Sequence, residues 1–312
     1  MAADITVVTG AAGFAGRHLI ERLAGQAPLV GWHRPGSAAP DVAFPIDWQP
    51  VDLTDRSAVA HAIDERQPAR IYHLAGAANV GDSWRTSGLH LRTNALGTHH
   101  LLSAVRASVP ACRVLVVSSA MIYRSTDAPL DESAAPGPAS PYGLSKLAQD
   151  QLALSAAAND HLNVIIARPF NQIGPRQGAG FALSNFARQL ARIEAGLDPA
   201  ELRVGNLDAR RDITDVRDVV AAYERLMADG AIGRAYNVCS GRAWRIRDLL
   251  DELLQASTAA VRVTVDPDRL RPTDVPLVQG NSARIRAELS WTPTMSVEQS
   301  VRDMLAWWRT QV

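Results

Sequence analysis

ITVVTGAAGFAGRHLIERLAG, residues 5 to 25, sets a β-branched run directly against a glycine turn and then a helix-forming stretch. Gly10, Gly13 and Gly16 follow the spacing G-x-x-G-x-x-G, with Phe14 and Ala15 inside it. Glycine permits a tight turn and lets backbone N–H groups approach a pyrophosphate, which the positive end of the following helix attracts. Strand, turn and helix in that order predict a dinucleotide-binding unit, although the same residues without a ligand are simply a glycine-rich turn.

The rhythm continues outward from that unit. LVGW (29–32), RIYHLA (70–75), RVLVVSS (113–119) and NVIIARP (163–169) read as strands, and RSAVAHAIDER (56–66) and NALGTHHLLSAVRAS (94–108) as helices. Alternation of this kind predicts an α/β fold, a doubly wound parallel sheet with helices on both faces. Past residue 170 the pieces are fewer: a helix around FALSNFARQLARIEAG, a strand near LRVGN, a helix at VRDVVAAYERLMADG, a strand at AYNVCS and a terminal helix in SVEQSVRDMLAWWRTQ. The expected division is a Rossmann domain over 1–170 and a smaller C-terminal substrate-binding lobe over 171–312, with 215–240 able to return to the first.

Composition narrows the function classes. Lysine plus arginine and aspartate plus glutamate both number 32 in 312 residues, so the global basic field expected of a nucleic-acid binder is missing. No stretch approaches the ~20 apolar residues of a membrane span, and MAADITVVTG lacks the basic start and long apolar run of a signal peptide. A cytoplasmic chain is expected. Cys112 and Cys239 lie in apolar runs and read as buried thiols rather than metal ligands or a disulfide.

At the end of the second strand an NAD-binding chain places an acid on the ribose hydroxyls. Here the residues are Gly31, Trp32, His33 and Arg34. Without a carboxylate to repel a 2′-phosphate, and with Arg34 able to bind one, NADP(H) is the expected cofactor and NAD(H) the alternative. Asp52, in VDLTD, is a candidate acceptor for the adenine amine or else the cap of the helix near Arg56.

SPYGLSK (140–146) places Tyr142 and Lys146 four positions apart, on one helix face. An ammonium beside a phenol favours the phenolate and so lowers the phenol's pKa toward a useful acid/base range. Ser119, ending the strand VVSS, can give a second donor to a substrate oxygen facing the tyrosine; as a strand-terminal serine it is equally a turn or cap residue.

Together TGAAGFAG, IYHLAG, NALGT, SSAMIY, SPYGLSK and ARPFN resemble the extended short-chain dehydrogenase/reductase superfamily in its nucleotide-sugar branch, over essentially the whole chain. The resemblance implies that Ser119, Tyr142 and Lys146 are catalytic, that Lys146 also holds the nicotinamide ribose, and that Asn94 supports the lysine and cofactor through water. It adds Leu53, Leu74, Ala75 and Gly76 as cofactor contacts. ARPFNQIGPRQG, VGNLDARRDITDVRDVV, YNVCSGR and DPDRLRPTDVP are most similar to GDP-mannose 4,6-dehydratases and GDP-4-keto-6-deoxymannose reductases. That likeness implies Asn171, Arg211, Arg271 and Asp274 on the diphosphate and ribose of a GDP-sugar, and Phe181 and Asn185 at its base. Arginine forks and amide donors suit a diphosphate, while Arg211 could instead pair with Asp212 or Asp215.

Dehydratases of that family carry an acid two residues before the tyrosine of the SSAMIY segment. Here Met121 stands there, and a thioether cannot transfer a proton. Arg124 replaces the glycine usual after Tyr123. The expectation is therefore reduction of GDP-4-keto-6-deoxy-D-mannose to GDP-rhamnose or GDP-6-deoxytalose, with an NAD-retaining 4-epimerase and a non-catalytic NADP-binding sensor as rivals. A homodimer through the helices following Asn94 and Tyr142 is implied as well.

Overall fold

The computed structural model describes residues 4–269 and 275–312. Its first half runs β1 (Thr6–Thr9), α1 (Phe14–Leu23), β2 (Leu29–His33), β3 (Asp47–Pro50), α2 (Arg56–Arg66), β4 (Arg70–His73), α3 (Ser87–His90), α4 (Gly97–Ser108), β5 (Arg113–Val117), α5 (Pro141–Asn159) and β6 (Asn163–Pro169). The second half runs β7 (Asn171–Ile173), α6 (Ala182–Glu194), β8 (Glu201–Val204), β9 (Arg210–Asp215), α7 (Val216–Asp229), β10 (Ala235–Val238), β11 (Ala243–Arg245), α8 (Ile246–Ala256), β12 (Arg262–Val265), β13 (Leu277–Val278), α9 (Ala283–Leu289) and α10 (Val297–Arg309).

A 7-stranded sheet has the order β10-β6-β5-β4-β1-β2-β3, with neighbouring strands parallel throughout. Side chains alternate across it with period two. Val8, Leu115, Val117, Ile165 and Ala167 meet Leu19 and Ile20 of α1 and Val219, Val220 and Tyr223 of α7 on one face. Val7, Val114, Val116, Val164 and Ile166 meet α2, α4 and α5 on the other. Both faces are covered, so the strands read as continuous apolar runs. The chain reverses its winding between β1 and β4, and the carboxyl ends there open the crevice where such sheets bind ligands.

Strand β9 joins β11, β13 and β7 in a second sheet, and β12 pairs β8 in a third. Leu183, Phe186 and Leu190 of α6, Leu249, Leu250 and Leu253 of α8 and Val301, Met304 and Leu305 of α10 pack with Leu202, Val204 and Ile213 as a separate core. A small cluster of Ile122, Tyr123, Leu130, Phe170, Cys239 and Val278 lies near the carboxyl ends of β5 and β6. Both cysteines are free and buried.

The helix carrying SPYGLSK is tied to the sheet by charge. Arg168 on β6 donates to both oxygens of Asp150, at 2.9 and 2.8 Å, and Arg168 Nη1 donates to the Tyr123 hydroxyl at 2.9 Å. The Asp150 side chain is fully buried and that of Arg168 is 8% exposed. Removing one member of such a pair strands the other charge, at a cost of about 3–5 kcal/mol. Arg168→Met should therefore lower the unfolding free energy by about that amount in urea denaturation, and adding Asp150→Leu should restore much of it.

Candidate active site

The residues that sequence motifs single out converge on the carboxyl edge of the 7-stranded sheet. β1 ends at Thr9 and leads into Gly10, whose φ of +69° is open to glycine at low cost. A Cβ there would lie 2.8 Å from the Ala75 backbone, and one on Gly16 would lie 2.1 Å from the Gly10 carbonyl oxygen. The turn is thus pressed against Leu74–Ala75 and against its own helix. Gly13 is the N-cap of α1, and among the described residues no side chain caps that end. Free N–H groups in the first turn and a cradle that tolerates no Cβ fit a pyrophosphate.

Arg34 follows β2 and is exposed, as is Asp52 after β3. The Asp52 carboxylate accepts from the Thr54 N–H and hydroxyl, both at 2.8 Å, which hold it below the ordinary aspartate range with a smaller contribution from Arg34. The cap of α2 is Asp55, which accepts from Ser57 and Ala58, and not Asp52. Leu53 is buried beneath this loop, where His100 Nδ1 lies 3.0 Å from the Leu53 carbonyl.

Ser119 sits just past β5. Its hydroxyl caps a 3-10 turn over Ala120–Ile122 by accepting the Met121 N–H at 3.1 Å, and it lies near enough to the Tyr142 phenol to lower that group's pKa. An oxygen that accepts from Met121 keeps its own proton to donate. Tyr142 opens α5, whose N-cap Ser140 accepts the Gly143 N–H and whose first helical residue is Pro141. Gly143 lets this turn touch the Ser119 segment, since a Cβ there would lie 2.5 Å from the Met121 carbonyl. His90 stacks edge-on against the Tyr142 ring at 6.1 Å.

Lys146, one helical turn on, is buried. Its ammonium donates to the Val117 carbonyl at 2.7 Å and to Gln149 Oε1 at 2.6 Å. Burial brings its pKa down to about 7, against the opposing charge of Asp150. The Tyr142 phenol moves the other way from the sequence expectation: burial raises it, and the Ser119 hydroxyl only partly offsets that. The reason is geometric, because the lysine aims its protons at Val117 and Gln149.

Asn94 lies in a π-helical segment, Leu91–Leu96, that precedes α4 and takes in the start of the helix expected over 94–108. Such segments are concentrated at functional sites. Its oxygen accepts the Ala77 N–H at 2.8 Å and its nitrogen donates to Ala77 O and Ser145 Oγ, at 3.1 and 2.9 Å. Direct support of Lys146 instead comes from Gln149, which the motifs did not point to. Gln149 Nε2 donates to Thr98 Oγ1 at 2.8 Å, and Thr98 gives its proton to the Asn94 carbonyl at 2.6 Å. His73 Nε2 lies 2.9 Å from the same Thr98 oxygen and His73 Nδ1 lies 2.8 Å from Thr9 Oγ1. Since Thr98 has spent its proton, His73 carries its own on Nε2 and accepts from Thr9 at Nδ1. The imidazole is neutral, and burial pushes its pKa down to about 3, with Lys146 adding to the effect.

The other expected substrate contacts are more dispersed. Asn171 is exposed at the start of β7, beyond β6. Phe181 is 38% exposed at the N-cap of α6, while the Asn185 oxygen is taken by Gln189 and Arg269, at 2.7 and 2.6 Å. Arg211 Nη1 donates to the Arg210 carbonyl at 2.9 Å. Its suggested partners are engaged elsewhere: Asp212 accepts from Ser240, Gly241 and Gly280, and Asp215 from Arg217 and Ser300. Arg271 and Asp274 lie outside the described residues. Met121 is half-buried beside Ser119, and Arg124 is exposed.

A sequence model described as GDP-mannose 4,6 dehydratase matches residues 7–304. The GDP-6-deoxy-D-mannose reductase of Pseudomonas aeruginosa is 36% identical over 308 residues, spanning 98% of this chain and 97% of that protein. A solved structure of RMD from Pseudomonas aeruginosa, complexed with NADPH, superposes with a TM-score of 0.86 at 34% identity, covering 99% of this chain and 100% of the other. The UDP-glucose 4-epimerase of Thermus thermophilus, complexed with NAD, gives a TM-score of 0.87 at 26% identity over 99% of this chain and 100% of the other.

The neutral His73 has a consequence for folding. Unfolded, it titrates near 6.5, and folded near 3. Between these values the unfolded chain binds more protons, so stability rises with pH and is lost on acidification through that window, by up to about 1.4 kcal/mol per pH unit. Asparagine can replace both hydrogen bonds without titrating. His73→Asn should flatten the stability-versus-pH curve below pH about 6 by roughly that slope, measured by chemical denaturation at successive pH values.

Proposed function

The chain belongs to the GDP-mannose 4,6 dehydratase family, and from that premise we propose that it is an NADPH-dependent nucleotide-sugar 4-ketoreductase acting on GDP-4-keto-6-deoxy-D-mannose, with GDP-D-rhamnose or its C4 epimer GDP-6-deoxy-D-talose as product. The observation that carries the reading is the convergence of Ser119 and Tyr142 at the strand edge, near enough for the Ser119 hydroxyl to lower the phenol's pKa, beside Met121 rather than an acid. Reduction of a ketone needs a proton for the carbonyl oxygen, and elimination of water needs a base at the neighbouring carbon. The site offers the first.

The glycine turn over Gly10, Gly13 and Gly16 would take the pyrophosphate of NADP(H), Arg34 the 2′-phosphate, and Lys146 the nicotinamide ribose. The reduced cofactor supplies the hydride. Everything else falls to the protein. Because burial raises the phenol, Tyr142 holds its proton at neutral pH and can deliver it to the substrate oxygen. Ser119, kept in place by the Met121 N–H, donates to that same oxygen as negative charge gathers on it. Lys146, one turn away, stabilises the phenolate that Tyr142 becomes. Asn171 and Arg211 are the groups assigned to the diphosphate, Phe181 and Asn185 to the base, and a homodimer completes the reading.

Incubation with NADPH and freshly made GDP-4-keto-6-deoxy-D-mannose should consume the reduced nicotinamide absorbance in step with product, whose C4 configuration NMR assigns. Turnover of the sugar without loss of NADPH would point to a 4-epimerase instead. Tyr142→Phe should lower kcat by about 10²–10⁴-fold while NADPH fluorescence titration shows binding retained.

Gly16→Ala should act at the other end of the cofactor. Its Cβ would meet backbone atoms, the Gly10 carbonyl oxygen and Ala11, which cannot swing aside. NADPH affinity should fall at least about tenfold in the same titration, a loss of about 1.4 kcal/mol of binding free energy.

A further inference from the structure

Lys146 is the only lysine in the chain, and every other residue of the Lys/Arg class is arginine. Arginine stays protonated at any pH a protein meets, whereas a buried lysine can lose its proton. The two residues are therefore not interchangeable here, and what surrounds this ammonium decides how it is used.

Its surroundings contain no ion pair of its own among the described residues. The Val117 carbonyl on β5 and the Gln149 amide oxygen on α5 receive its protons. Asp150, also on α5, acts on it only through space, because both carboxylate oxygens are bound by Arg168 from β6. His73 on β4 is neutral and Tyr142 on α5 is protonated. Gln149 is fully buried, and its orientation is forced: Thr98 gives its proton to the Asn94 carbonyl, so Thr98 must accept from the amide nitrogen and the amide oxygen must face the lysine. Every link of this chain points one way. The amide cannot hand a proton on, so the chain fixes position without conducting protons.

We propose that Gln149 is a positioning residue for Lys146: anchored on Thr98, its amide oxygen holds the ammonium in place while withholding the negative charge that would lock the lysine in its protonated form. The inference rests on the reading of Lys146 as the group that supports Tyr142. A glutamate of the same size at 149 would keep the contact and add the charge.

Having one lysine makes the test direct. Protein grown with ¹⁵N,¹³C-lysine shows a single side-chain ε-amine, whose titration NMR follows in the protein without substrate. The wild-type signal should titrate far below the ordinary lysine value of about 10.4. In Gln149→Glu its midpoint should rise by about 1–3 pH units, and the high-pH limb of kcat/KM should move up with it. Gln149→Met, which removes the acceptor, should lower the midpoint and raise the KM for NADPH. An ordinary wild-type midpoint, or one unmoved by Gln149→Glu, would overturn the proposal. Because the NMR titration needs no sugar, it stands or falls separately from the ketoreductase assignment.

Discussion

An ammonium buried at the carboxyl edge of a parallel sheet has to have its protons met, and Lys146 meets this constraint with the last carbonyl of β5 and the amide of Gln149. The first of these contacts ties α5 to the end of β5, and the second holds the ammonium in place from within α5. Tyr142 and Ser119 then face each other as a consequence, since one lies a turn before the lysine and the other two residues past Val117. The close approach of Gly143 to the Met121 carbonyl removes the remaining slack. Charge reinforces the same joint from below, where Arg168 binds Asp150 and takes its carboxylate away from the lysine.

The same edge also joins the site to the glycine turn. Thr98 collects hydrogen bonds from Gln149 and His73, His73 accepts from Thr9, and Thr9 accepts the Ala75 N–H at 3.1 Å. Thr9 is the residue before Gly10, and Ala75 is the backbone against which Gly10 is pressed. A single run of buried polar groups thus spans β1, β4, α4 and α5. Each member has its donors and acceptors matched, and a satisfied buried network specifies one arrangement far more strictly than apolar packing does. The glycine turn and the Tyr142–Lys146 pair are positioned by one object.

The strand–turn–helix unit and the tyrosine–lysine spacing were legible in the sequence because both are local: a glycine pattern against a β-branched run, and two side chains one helical turn apart. Ser119 was legible through its place at a strand end. The Gln149–Thr98–His73–Thr9 run was not, because its partners lie 51 and 64 positions apart and none belongs to a periodic pattern. The direction of the Tyr142 shift was missed for a related reason. Spacing places the lysine one turn from the phenol, but only the fold shows that burial governs the shift while the ammonium points at Val117 and Gln149. Asp52 and Asp55 show the limit of local reading at a helix start, where two acids three positions apart compete for one cap and geometry chooses Asp55. That lysine occurs once in the chain was visible from the first, yet its meaning depends on what surrounds position 146.

In the proposed reduction hydride enters the sugar directly while Tyr142 protonates the oxygen. Reaction of the nucleotide 4-keto sugar with NADPH deuterated at the transferring position of C4, followed by NMR and mass analysis of the product, tests it most directly. Direct transfer leaves one deuterium per product molecule, fixed at sugar C4. Product carrying solvent hydrogen at that carbon would contradict it.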